Sequence, residues 1–152
     1  MTLRAITVKQ PWAWAIIHGG KDVENRTRNI AGTYRGLVAI HAGLTDDESD
    51  LSSALTRAAW VQWWTEAREA GVDVGPQLGH VLAVAELVDV HEAPPPEVQW
   101  CGCSRWAERF FVHHLVLANV RPLPTPVPAR GFLSLWTLPD DVEAAVREQV
   151  AL

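Results

Sequence analysis

Residues 81–90 run from Val81 through Ala85 and Leu87 to Val90 with only two charged side chains among the ten. A Val-rich run of that length reads as a strand buried on much of its surface, and it is long enough to bend around a barrel. Residues 4–8 read as a shorter strand. A helix over 12–18 follows, opened by Pro11 and closed by Gly19-Gly20. Residues 21–32 look like loop or edge structure. Residues 33–41 form a strand apolar on both sides, 110–118 form another, and 132–138 alternate cleanly as the last. Residues 121–130 hold four prolines, which predicts a loop or an edge strand short of ladder donors. Ala93-Pro94-Pro95-Pro96 is an extended connector.

Two stretches have a helical period instead. In residues 46–70, Leu51, Leu55, Ala58, Ala59 and Gln62 lie along one stripe, and Trp60, Trp63, Trp64 and Ala67 along the next. In residues 140–151, Val142, Ala145, Val146, Gln149 and Val150 share a face, and Asp140 with Glu143 makes a start like a capping box. Five strand candidates without a βαβ rhythm predict one α+β domain over residues 1–152, built around a small mixed β-barrel with flanking helices and a C-terminal amphipathic helix. No apolar run approaches the roughly 18 residues of a membrane span. The first residues reach Gln10-Pro11 without the long apolar stretch of a signal peptide. Cys101 and Cys103 stand too close for an ordinary disulfide framework, so the expected compartment is the reducing cytoplasm.

Charge is divided unevenly. Residues 1–42 carry six basic against two acidic side chains, net +4, whereas residues 43–100 carry eleven acidic against two basic, net −9. Phosphate affinity comes from Lys and Arg, so an acidic chain with one basic region favours a small or defined anion over long duplex. The chain has eleven arginines and only two lysines, Lys9 and Lys21, both in the basic region. A compact ammonium in so Arg-biased a sequence points to a specific role. Around them cluster Gln10, Trp12, Glu24, Asn25, Arg26, Arg35 and His41, at the ends of neighbouring elements.

Several segments together resemble the ASCH family. They are Ile6-Thr7-Val8-Lys9-Gln10-Pro11-Trp12, Gly20-Lys21 with Glu24-Asn25-Arg26, Tyr34-Arg35-Gly36, Ile40-His41-Ala42, Leu115-Val116-Leu117, Arg121-Pro122-Leu123, Arg130-Gly131 and Leu135-Trp136. The resemblance spans about residues 3–138, interrupted by an acidic, Trp-rich helical insert over about 46–75. It implies a PUA-like β-barrel whose cleft binds RNA, a nucleotide or a modified nucleoside. Lys9, Lys21, Arg26, Arg35 and Arg130 would then supply the positive field, with Gln10, Glu24 and Asn25 reading polar edges. Some similar proteins hydrolyse acetylated cytidine with a Lys and a Thr three residues later. Here Lys21 is followed by Glu24, and a carboxylate does not replace a hydroxyl nucleophile. The amidohydrolase is therefore disfavoured, while a ribonuclease with Lys21 and Glu24 as the catalytic acid–base groups stays the enzymatic alternative.

Other residues have two readings each. Trp12 and Trp14 stack on a base or join the core. Trp60, Trp63 and Trp64 pack the insert against the barrel or meet a protein partner. His41 touches a ligand or is a hydrogen-bonded structural group. Cys101 and Cys103 invite a zinc reading with His91, His113 or His114, but their spacing falls short of common zinc knuckles. Reduced, partly buried thiols are expected, and no metal or other cofactor is assigned.

Overall fold

The computed structural model describes residues 2–46, 54–71, 77–110 and 112–152. The elements run β1 (Arg4–Gln10), α1 (Trp12–His18), β2 (Val23–Arg26), β3 (Gly36–Asp46), α2 (Ala54–Glu69), β4 (His80–Glu92), β5 (His113–Pro128), β6 (Leu135–Thr137) and α3 (Asp140–Arg147). The strands form one mixed sheet in the order β2-β5-β4-β3-β1-β6, with β1 parallel to β3 and every other pair antiparallel. The fold class is α+β, as the sequence predicts. The barrel is not closed: four-residue β2 and three-residue β6 are the two ends of an open sheet.

Both faces of the sheet are buried, because strand residues alternate sides. Ile6, Val8, Ile40, Leu87 and Leu115 pack with Ala13 and Ile16 of α1, whereas Ala5, Ala39, Val81 and Val84 pack with Val142 and Val146 of α3. Each large aliphatic side chain so buried contributes about 1.5–3 kcal/mol relative to exposure. A third cluster joins α2 to α1: Trp14 and Ala15 of α1 meet Ala59 and Trp63 of α2. Trp14 belongs to this core, and its indole Nε1–H donates to Glu66. The buried stripe of α2 is Ala59, Trp63 and Ala67, while Ala58, Gln62 and Trp64 face outward. Leu51 and the insert's remaining residues 47–53 and 72–76 lie outside the described residues.

Of three further expectations, two are met and one is corrected. Of the two readings for residues 121–130, loop or edge strand, residues 121–128 take the second, as the uncovered second half of sixteen-residue β5. Ala129 donates its N–H to the Gly79 carbonyl, which points the missing donor of Pro128 away from β4. The β4–β5 register then jumps from Val81↔Val127 to Ala83↔Pro122, which leaves residues 123–126, Pro124 and Pro126 among them, without a β4 partner, and β2 covers only residues 113–116 of the other edge. Pro124 and Pro126 therefore fall where the ladder asks for no donor. Residues 21–32 contain β2, an edge strand. Finally, α3 ends at Arg147, and Asp140 is its first residue rather than its cap; Pro139 holds the cap position without a side-chain bond. Asp140, Asp141 and Glu143 act there through the helix dipole. No helix among the described residues is long and apolar enough to cross a membrane.

Candidate functional site

The parallel strands β1 and β3 end at a common cleft of about 1060 Å³, lined by Thr7 and Lys9 from one and by His41, Gly43 and Leu44 from the other. Trp12 enters from the start of α1, where the buried Gln10 side chain accepts the Trp14 N–H at 2.9 Å and the Gln10–Pro11 peptide is cis. Gly20, at φ 73°, makes the turn that delivers Lys21 after the helix, and β2 supplies Glu24, Asn25 and Arg26. The opposite walls are Arg105 to Glu108, Arg130 to Ser134, and Leu55 and Thr56 of α2.

Lys21 and Glu24 are both buried, at 4% and 7% exposure. The Lys21 ammonium donates to the Val23 carbonyl and lies 3.3 Å from Glu24 Oε2. Arg26 Nε lies 3.0 Å from Glu24 Oε1, so one carboxylate stands between two cations. Arg26 also donates from Nη2 to the Thr7 carbonyl at 2.8 Å, which ties β2 to β1. The Lys21 Nζ lies 5.8 Å from the Trp12 ring centre and 5.9 Å from that of Trp106, within cation–π range of both. Asn25 is consumed by the wall: its side chain donates to the Trp106 carbonyl and accepts the Glu108 N–H. Glu24 thus gives the Lys21 ammonium a partner, the reverse of what a free-amine base needs.

Thr7 and His41 sit opposite each other in the β1–β3 register. His41 Nε2–H donates to the Ala129 carbonyl at 2.9 Å, since a carbonyl only accepts. The other ring nitrogen, Nδ1, then accepts the Thr7 hydroxyl at 3.2 Å, and that hydroxyl oxygen accepts the Trp136 indole N–H at 3.1 Å. Gly131 closes over this pair: a Cβ there would lie 2.6 Å from His41 Cε1 and 2.8 Å from both His41 Nδ1 and Thr7 Oγ1. Burial pushes the His41 pKa below its ordinary value of 6.5, against the opposing Ala129 hydrogen bond, with His80 adding a smaller push downward.

A depressed imidazole makes stability pH-dependent with a definite sign. The unfolded chain takes up a proton at His41 near pH 6.5, while the folded chain resists it, so folding loses stability as pH falls below that value. We expect the urea midpoint to drop between pH about 7.5 and about 5.5. The drop should be smaller in His41→Gln; equal drops in both proteins would place the titrating group elsewhere.

Of the residues singled out from sequence, Lys9, Trp12, Lys21, Glu24, Asn25, Arg26, His41 and Arg130 all line this one cleft. Gln10 does not: it is 0% exposed and turned into the start of α1. Arg35 does not either; it lies beside Asp89 and donates to the Tyr34 and Val90 carbonyls. The sequence reasoning missed Thr7, Trp106, Arg105 and the role of Gly131. The Thr7–His41 register was within reach, because both residues lie in segments read as strands, but their parallel pairing was not foreseen. His91, Cys101, Cys103 and His114 lie outside the cleft lining. The chain matches no protein-family model and no curated protein.

Proposed function

We propose that this chain is an ASCH-type, PUA-like domain whose cleft binds an anionic nucleic-acid ligand, a single-stranded RNA segment or a modified nucleotide, without turning it over. The observation that carries the reading is the make-up of the cleft. Five cations, Lys9, Lys21, Arg26, Arg105 and Arg130, face it against two carboxylates, Glu24 and Glu108, on a chain of net charge −5. Lys9, Arg105 and Arg130 are exposed, whereas Lys21 and Arg26 are tied to Glu24. The exposed cations suit phosphate, and Trp12 and Trp106 offer aromatic faces for a base. A volume of about 1060 Å³ holds a nucleotide with room for its neighbour.

Titration with nucleoside monophosphates and short single-stranded RNA tests this. Affinity should fall as salt rises, with a shallow slope that reflects few phosphate contacts. Lys9→Ala and Arg130→Ala should each weaken binding by about tenfold or more without loss of folding, since a hydrogen bond to a charged group is worth about 1.5–3 kcal/mol. Salt-independent binding, or wild-type affinity in both variants, would remove phosphate recognition.

One observation favours a hydrolytic reading, and it concerns Thr7 and His41 rather than Lys21 and Glu24. A hydroxyl bonded to a neutral imidazole, whose far nitrogen is held by a carbonyl, is the arrangement of an activated nucleophile. The same preparations decide between the two. N4-acetylcytidine should be recovered unchanged; release of cytidine that Thr7→Val abolishes would replace binding by catalysis.

A further inference from the structure

Four side chains outside the cleft converge on a single point. His91 and His114 face each other across the β4–β5 ladder, and Cys101 and Cys103 reach them from the segment that joins the two strands. One ligand atom from each, His91 Nε2, His114 Nδ1 and the two Sγ, lies within 4.8 Å of the other three. We propose that this cluster is a structural Zn²⁺ site that fixes one wall of the cleft.

The distances fit a tetrahedron. Zn–S bonds of about 2.3 Å and Zn–N bonds of about 2.0–2.1 Å give ligand–ligand edges of about 3.3–3.8 Å. The two imidazole nitrogens are 3.2 Å apart, Cys101 Sγ is 3.6 Å from His114 Nδ1, and Cys103 Sγ is 3.5 Å from His91 Nε2. Two thiolates and two imidazoles in that geometry select zinc among the common divalent ions.

The second argument is where the ring protons go. His114 Nε2–H donates to the Glu108 carbonyl at 2.7 Å, and His91 Nδ1–H donates to Asp89 Oδ2 at 2.6 Å. Each ring is thereby held in the tautomer that turns a lone pair toward the other. Two lone pairs at 3.2 Å repel unless a cation lies between them. A carboxylate and a backbone carbonyl on the outer nitrogens are the usual supports of zinc-bound imidazoles. Arg35 extends the chain outward, 3.7 Å from Asp89 Oδ1. Gly102, at φ 84°, makes the turn between the two thiols.

Binding displaces one proton from each thiol to solvent, and the two thiolates neutralise the ion. Four protein ligands leave no open position, so the site holds structure rather than substrate. What it holds is the segment between β4 and β5. That segment carries Arg105, Trp106 and Glu108; Asn25 of β2 also holds it by side-chain bonds to Trp106 and Glu108, and Ser104 donates to Asp22 just before β2.

The test is metal analysis of protein purified in reductant without chelator, followed by Co²⁺ titration of the metal-free protein. About one zinc per chain is expected, and Co²⁺ should give the visible bands of a tetrahedral site with thiolate charge transfer. The Cys101→Ser/Cys103→Ser double variant should lose both signals, while Asp89→Asn should keep the spectrum with affinity about 10–100-fold weaker. Should the double variant fail to fold, the Co²⁺ spectrum of the wild type decides alone. Free thiols with no zinc and no thiolate band, zinc retained by the double variant, or a Cys101–Cys103 disulfide that persists under reductant would each overturn the proposal.

Discussion

Glu24→Ala is expected to cost about 3–5 kcal/mol of folding stability, the range for removing one partner of a buried ion pair. The size follows from what is stranded. Lys21 is 4% exposed and would keep only the Val23 carbonyl and two aromatic faces for its ammonium. Arg26 would lose the same carboxylate and retain its bond to the Thr7 carbonyl. Lys21→Met should cost less, because Glu24 would still have Arg26 at 3.0 Å. The double substitution should then cost well below the sum of the two single losses, since an apolar pair leaves one fewer buried charge unmatched. Urea denaturation of the three variants measures all of this. A Glu24→Ala loss under about 1 kcal/mol would show that the pair is solvated like a surface bridge.

Gly131→Val should destabilise the fold by about 2–5 kcal/mol, through overpacking and through the hydrogen bonds it breaks. The added Cβ meets no flexible chain end. It meets an imidazole that is 1% exposed and held at both nitrogens, and a hydroxyl that already bonds His41 and Trp136. Thr7→Ala removes one of the blocking atoms, so Gly131→Ala should cost less in the Thr7→Ala background than alone. Thermal denaturation of the four proteins in that cycle reads the coupling. Strict additivity would mean that Gly131 matters for its backbone freedom rather than for its closeness to the pair.

Much of the cleft was legible in the sequence because its residues flank elements with strong local signals. Apolar alternation and the Pro11 and Gly19-Gly20 punctuation placed β1 and α1, and with them Lys9, Trp12 and Lys21. What failed depends on facts no local pattern holds. Gln10 and Arg35 sit among cleft residues in the chain, yet one points inward to cap a helix and the other outward to Asp89. The Cys-Gly-Cys spacing leaves the metal reading of Cys101 and Cys103 weak, because zinc motifs are recognised by separation along the chain, and nothing local shows that the two thiols meet His91 and His114. Here the spacing that counts is across the ladder, where β4 and β5 set His91 against His114. The sheet likewise stays open for a reason invisible to periodicity: its end strands are three and four residues long.

The proline alternation in β5 has a consequence for how these molecules behave in company. An open sheet offers its borders to any extended chain that passes, and such borders are where soluble proteins begin to coalesce into fibres. From residue 117 onward β5 has no strand on its second side among the described residues, yet Pro128 turns a donorless nitrogen outward there, and Pro122, Pro124 and Pro126 take three more N–H groups out of the same stretch. The Thr125 N–H between them is already taken by the Gln149 side chain, reaching over from just beyond α3. A visiting strand would find acceptors there but few N–H donors for its own carbonyls, so crowding alone should not string copies of this protein together along that border.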